Sequence, residues 1–280
     1  MHIYDYANKI NSAAETGIYC RCCGFPVLSL PGEHPLFCSF CEAYVLKTDN
    51  DIVNGSAEIS KNLKIIRDSV SSGKMQDGAA AADALAAIKD PHLLFGASEF
   101  YRLFSDTTYY GVDYTLGGFM YPNAEKRSDE TPKNKYNAVA LMSKSKEFLF
   151  KALKLMQSDE KPSNALAFIA FMSNIKLKRY VQAEKLLDGP IANSGDAAII
   201  SYATMAFKTH TDPQKSASAI QKCISYGIPN AFYYLSIHLA KRKRLSDSLG
   251  ILSVFVDKTG MPAAINLKYR VGDIKAASDI

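Results

Sequence analysis

Phe171-Met172-Ser173-Asn174-Ile175-Lys176-Leu177-Lys178-Arg179-Tyr180, followed by Ala183 and Leu186, is the stretch that decides the fold. Its apolar positions return 34 residues later as Met205, Ala217 and Ile220, and after a further 34 as Leu239, Ile251 and Val254. Helix breakers at Pro162, Gly189-Pro190, Gly195, Pro213, Gly227 to Pro229, Ser246 and Gly260 keep nearly the same phase. Self-similarity at this period means helical hairpins that bury their apolar faces only by stacking on neighbours.

The period and its pattern make residues 161–260 resemble three divergent units of the tetratricopeptide-repeat family. The positions where that family carries Trp, Leu-Gly and Tyr are not filled consistently, which leaves a generic α-solenoid as the alternative reading. The resemblance implies a concave helical surface that takes protein partners. Residues 57–104 and 134–156 make two earlier hairpins of the same solenoid, which spans 56–280. Ile59, Leu63, Ile66 and Val70 form a stripe that starts after Ser56 and ends at Gly73. Gly78 to Ile88 is a second helix, and Asp90-Pro91 caps a third with Leu94, Ala97, Tyr101 and Phe104 on one face. A long helix from about Asn134 to Met156 turns Ala138, Leu141, Ser145, Phe148, Ala152 and Leu155 inward.

At the other end, residues 1–17 read as a short amphipathic helix, with Ile3, Tyr6, Ile10 and Ala13 at helical spacing up to Gly17. Residues 18–50 are different. Cys20-x2-Cys23 and Cys38-x2-Cys41 are separated by fourteen residues, close to the spacing of four-thiolate zinc sites, with a disulfide pair or free buried thiols as the other reading. Two thiolates three positions apart bite one ion from a single tight turn, and two such turns complete a closed tetrahedral shell. Gly24 suits the positive φ of such a turn. Phe25, Val27 and Leu30, then Leu36 and Phe37 beyond Pro31-Gly32, then Tyr44 to Leu46, supply short strands. The expected cofactor is one structural zinc held by Cys20, Cys23, Cys38 and Cys41, with Cys22 and His34 as bystanders. The Cys23-Gly24-Phe25-Pro26-Val27 run is similar to the zinc ribbons that open archaeal Sjögren/scleroderma-autoantigen-like proteins; the likeness covers about residues 18–47.

The chain has 280 residues, 48% of them apolar and 11% aromatic, which excludes disorder over most of its length. No apolar run reaches the length of a membrane span, and no secretory leader opens the sequence, so a cytoplasmic location is the expectation. The net charge of +5 hides a division. Residues 1–132 carry eleven Lys/Arg against seventeen Asp/Glu, a net of −6, and residues 133–280 carry 22 against 11, a net of +11.

Set on the 34-residue repeat, Lys176, His210 and Arg244 become equivalent, as do Asn174, Lys208 and Arg242; Lys178, Arg179, Lys241 and Lys243 thicken the row. Such a rim would favour RNA or another polyanion by counterion release. An insertion at 105–132 carries Tyr109, Tyr110, Tyr114 and Tyr121, which either pack over the helices or stack on a base or a partner peptide. No phosphate loop, dinucleotide fingerprint, HExxH or GxSxG motif is present, so an enzyme is not expected. The resulting expectation is a non-catalytic adaptor for a protein partner, within a ribonucleoprotein complex or a homo-oligomer. Direct RNA binding through the basic rim is the alternative, and an enzyme with its pocket under the insertion is the second alternative.

Overall fold

The computed structural model describes residues 3–32, 36–49, 56–110, 131–157 and 162–278. The chain is mostly helical, with a small two-stranded sheet near its start. It divides into two compact units, one of Met1–Ile18, Pro26–Leu46 and Lys161–Ile280, the other of Tyr19–Phe25 and Lys47–Glu160.

The second unit is built from α2 (Ala57–Ser72), α3 (Met75–Ala87), α4 (Pro91–Tyr110) and α5 (Thr131–Met156). The start signals in the sequence act as read: the Ser56 hydroxyl accepts from the Ile59 amide at 3.4 Å, and Gly73 closes α2 at φ 74°. Asp90 Oδ1 caps α4 by accepting from the His92 and Leu93 amides at 2.7 and 3.2 Å. Leu63, Ile66 and Val70 of α2 are buried, as are Leu94, Ala97, Tyr101 and Phe104 of α4. Polar contacts set the pairing of α4 with its neighbours. Tyr101 donates to Asp83 Oδ1 of α3 at 2.9 Å, Lys144 of α5 reaches Asp83 Oδ2 at 2.7 Å, and Ser105 of α4 donates to the Ala138 carbonyl at 2.7 Å. On α5, Ala138, Ser145, Phe148 and Ala152 face inward, whereas Leu155 is more than a third exposed; Leu149, Leu153 and Met156 fill the core instead. The helix also runs further than Asn134 upstream, and α4 continues to Tyr110, into the stretch read as an insertion. Tyr114 and Tyr121 lie outside the described residues, as does His34.

The first unit opens with α1 (Ile3–Asn11), which ends well before Gly17 because the chain then extends into β1 (Ala14–Tyr19), paired with β2 (Pro26–Ser29). Thr16 Oγ1 donates to the Val27 carbonyl at 3.0 Å across this pair. α1 packs on the C-terminal helices: the Tyr6 hydroxyl accepts from Gln221 at 3.1 Å and its ring lies edge-on to Phe232. Those helices are α6 (Asn164–Lys176), α7 (Tyr180–Leu186), α8 (Ala197–Thr211), α9 (Ser216–Ser225), α10 (Ala231–Lys241), α11 (Leu245–Thr259) and α12 (Pro262–Ser278). Each packs on the next in sequence from α6 to α12, and α6, α8 and α10 also pack side by side. Phe171, Met205 and Leu239, the repeat positions of these three helices, are all buried.

Two details of the repeat differ from the sequence reading. Gly189-Pro190 does not break the chain after α7; a wide π turn over Leu187–Ile191 absorbs the proline, whose missing N–H leaves no bond to lose, and Gly195 ends the segment. The repeat phase also slips. The turns after α6 and α10 make the same three bonds, Leu177 to Ser173, Lys178 to Ile175 and Arg179 to Asn174 in the first, Arg242 to His238, Lys243 to Ala240 and Arg244 to Leu239 in the second. Lys178 and Lys243 both sit at positive φ, 59° and 60°. These turns therefore equate Lys176 with Lys241 and Arg179 with Arg244.

Candidate metal centre

Cys20 and Cys23 belong to one tight turn, and Cys38 and Cys41 to another. In the first, the Gly24 amide donates to the Cys20 carbonyl at 2.8 Å and the Cys20 amide to the Phe25 carbonyl at 2.9 Å. In the second, the Glu42 amide donates to the Cys38 carbonyl at 2.9 Å and the Cys38 amide to the Ala43 carbonyl at 2.8 Å. The two knuckles thus repeat the same bonding, and the Cys41 amide points at the Cys38 sulfur at 3.5 Å. An antiparallel bridge between Phe37 and Tyr44 flanks the second knuckle.

All four cysteines are buried, and their sulfur atoms lie within 4.8 Å of one another. A tetrahedral thiolate shell with metal–sulfur bonds of about 2.3 Å has sulfur–sulfur edges of roughly 3.8 Å, so a small inward adjustment brings all four onto one ion. Four buried thiols converging this closely fit a soft or borderline metal cation. An ion held by all four thiolates would have no position left for a bound water. Cys22 is buried but outside the set: its carbonyl lies against Gly96 of α4, so closely that a Cβ on Gly96 would overlap it. The first knuckle is further fixed by Gly24 against Leu63 and by Arg21, whose guanidinium meets Asp90 at 2.6 Å. Burial works to raise the Asp90 carboxyl, but His92 and Arg21 offset it and hold the group well below the usual carboxylate range.

The second knuckle carries a feature absent from the sequence reading. Glu42 occupies the place that Gly24 has in the first knuckle, and takes the same left-handed backbone, φ 71° against 74°. A non-glycine residue there costs on the order of 1–3 kcal/mol. Its carboxylate is buried and accepts from Lys176 at 2.7 Å, from the Tyr234 hydroxyl at 2.7 Å and from the Tyr202 hydroxyl at 3.1 Å. Burial, then the Glu42 charge, pushes both phenols well above their ordinary range. Phe37 stacks on Tyr202 with ring centres 4.4 Å apart and tilts on Phe168, while Asn230 donates to the Cys38 carbonyl at 3.1 Å. Tyr44 donates to Asp196 Oδ2 at 3.1 Å, and Asp196 Oδ1 caps α8 through the Ala198 and Ile199 amides. Burial and then Asp196 push the Tyr44 phenol up to about 12.

Of the residues placed on a basic rim, Lys176 is turned inward to Glu42. His210 is half-buried, stacked on Tyr180 and edge-on to Tyr234, and burial lowers its pKa. Lys208 and Arg179 are partly exposed, and Lys178, Lys241, Arg242, Lys243 and Arg244 are exposed. Lys241 also donates to the Thr209 carbonyl at 2.8 Å, and Arg244 to Asp247. Tyr109 is half-exposed at the end of α4, one residue before Tyr110 ends that helix. His238 meets Ser216 and the Pro213 carbonyl through Nδ1. Cys223 is buried, and that burial pushes its thiol up to about 12, the state of an inert core residue. None of the described helices is long and apolar enough to cross a membrane. No protein-family profile, curated protein or solved structure matches the chain.

Proposed function

We propose that this chain is a non-catalytic cytoplasmic adaptor in which a zinc ribbon is seated on a tetratricopeptide-like α-solenoid and partner proteins bind the helical surface. The observation that carries this reading is the docking of the second knuckle: Phe37, Glu42 and Tyr44 engage α6, α8 and α10, the side-by-side helices of three successive hairpins. A ribbon fixed in this way serves as part of a scaffold. Zinc is the ion favoured by four thiolates in a closed tetrahedron, because its filled d shell imposes no competing geometry. The near-regular placement of α6, α8 and α10, with Phe171, Met205 and Leu239 buried in turn, supports the solenoid.

In this reading the partner surface lies on the exposed edges of the hairpins, because the second knuckle covers part of α6, α8 and α10. The cations there favour a second reading, direct contact with RNA. Lys178, Arg242, Lys243 and Arg244 are exposed on two turns of equivalent geometry. Affinity capture of the metal-loaded protein with and without ribonuclease separates the two. Protein partners that survive ribonuclease support the adaptor. Partners lost with ribonuclease, together with RNA binding that weakens steeply with salt and in a Lys178/Arg179/Arg242/Arg244→Ala variant, support the RNA reading. A single sedimentation species at the monomer mass and no partner in either condition would remove both.

A further inference from the structure

Glu42 follows Cys41 as Gly24 follows Cys23, at the same left-handed backbone angle and with the same amide bond back to the first cysteine of the knuckle. The backbone at this position suits glycine, so what a glutamate contributes there is its side chain. The carboxylate is met by three donors from three different helices: Lys176 at the end of α6 on Oε2, Tyr202 of α8 and Tyr234 of α10 on Oε1. All three side chains are buried. His210 lies within electrostatic reach of Glu42 and of Lys176, Lys178 and Lys241. A buried ammonium beside two phenols is a poor environment for anything but an anion, and two separate faces of donors match the two oxygens of a carboxylate.

We propose that Lys176, Tyr202 and Tyr234 form a carboxylate receptor built across three successive hairpins, and that the metal-bearing knuckle occupies it in cis through Glu42. Receptor and ligand belong to different parts of the chain. Cys38 and Cys41 hold the knuckle in the shape that presents Glu42, and Glu42 holds the three helices in register, so metal binding and helix packing become one cooperative unit. The proposal stands apart from the adaptor reading and survives its failure.

The test vacates the receptor without straining the backbone. Glu42→Gly keeps the left-handed angle at no steric cost, as Gly24 does, and leaves the three donors in place. In the metal-loaded, full-length protein we expect this variant to melt several degrees below wild type and to surrender its metal faster to a chelator. Acetate or formate should raise its melting temperature saturably, as a ligand bound only to the folded state does, whereas chloride at equal ionic strength should not. Wild type and the Glu42→Gly/Lys176→Met double variant should show no such carboxylate-specific response. A Glu42→Gly protein as stable as wild type overturns the proposal, as does a loss of stability that acetate and chloride restore equally or not at all. Where that variant fails to fold on expression, its refolding yield from denaturant in acetate against chloride is the readout, and equal yields overturn the proposal.

Discussion

Glu42 and Gly24 hold the same position in the two cysteine knuckles, one residue after the second cysteine of each, with φ of 71° and 74°. They differ in what surrounds the Cα. At Gly24 a Cβ would stand 2.8 Å from the Leu63 Cβ and 3.2 Å from its carbonyl. Gly24→Ala therefore combines a left-handed alanine with a clash against α2. The expected loss is about 2–4 kcal/mol, read by urea denaturation of the metal-loaded protein. A loss below about 0.5 kcal/mol, the range of an ordinary surface substitution, contradicts the placement of the first knuckle on α2.

Gly96 is a sharper probe of the same knuckle. In a helix interior, alanine is better than glycine by up to about 1 kcal/mol, so a Gly96→Ala change would stabilise α4 if nothing approached it. Because its Cβ would overlap the Cys22 carbonyl, the variant should instead be destabilised and lose metal to a chelator more readily than wild type. An unchanged or raised melting temperature is the outcome at odds with the structure.

The turns after α6 and α10 predict a stabilising pair of substitutions. Lys178 and Lys243 are left-handed, and relief of that strain exceeds the entropy that glycine adds to the unfolded chain. Lys178→Gly and Lys243→Gly should each gain about 0.5–1 kcal/mol, and by nearly equal amounts because the turns share their bonding. Unequal effects of opposite sign in thermal unfolding would show that the two turns are not equivalent.

Alkaline titration tests the docking of the second knuckle. Tyr44 is raised to about 12, and Tyr202 and Tyr234 lie well above their ordinary value. In the unfolded chain these phenols ionise near 10. Since the folded values are higher, the stability they contribute is complete below that pH and is lost as pH rises through the folded values. Phenolate absorbance followed together with circular dichroism should show a subset of the sixteen tyrosines that ionises only as helix is lost. Full, reversible ionisation of all of them in the folded protein near pH 10 is the opposing result.

What could be read from the sequence was local. Ser56, Gly73 and Asp90 act on backbone groups within three residues, so the start of α2, its end and the start of α4 were legible. The four cysteines were legible because metal chemistry fixes both residue type and spacing. The strand at Ala14–Tyr19 was not, since it exists through β2, and Ile3, Tyr6, Ile10 and Ala13 suit a helix equally well. Nor was the inward turn of Lys176. A 34-residue ruler aligned it with His210 and Arg244, whereas the turn geometry pairs it with Lys241, and its partner Glu42 lies far away in the chain. Aligning the two knuckles would have exposed the one available signal, a glutamate where the first has glycine.

Cys20, Cys23, Cys38 and Cys41 converge closely enough to share one metal ion, and the central proposal is that this ion is zinc. Elemental analysis of purified protein, paired with its mass under native and denaturing conditions, tests it most directly. The account predicts one zinc per chain in wild type, and in Cys38→Ser a loss of metal with a lower melting temperature. Protein that folds with no zinc, or a Cys38→Ser variant that keeps its full metal content and stability, contradicts it.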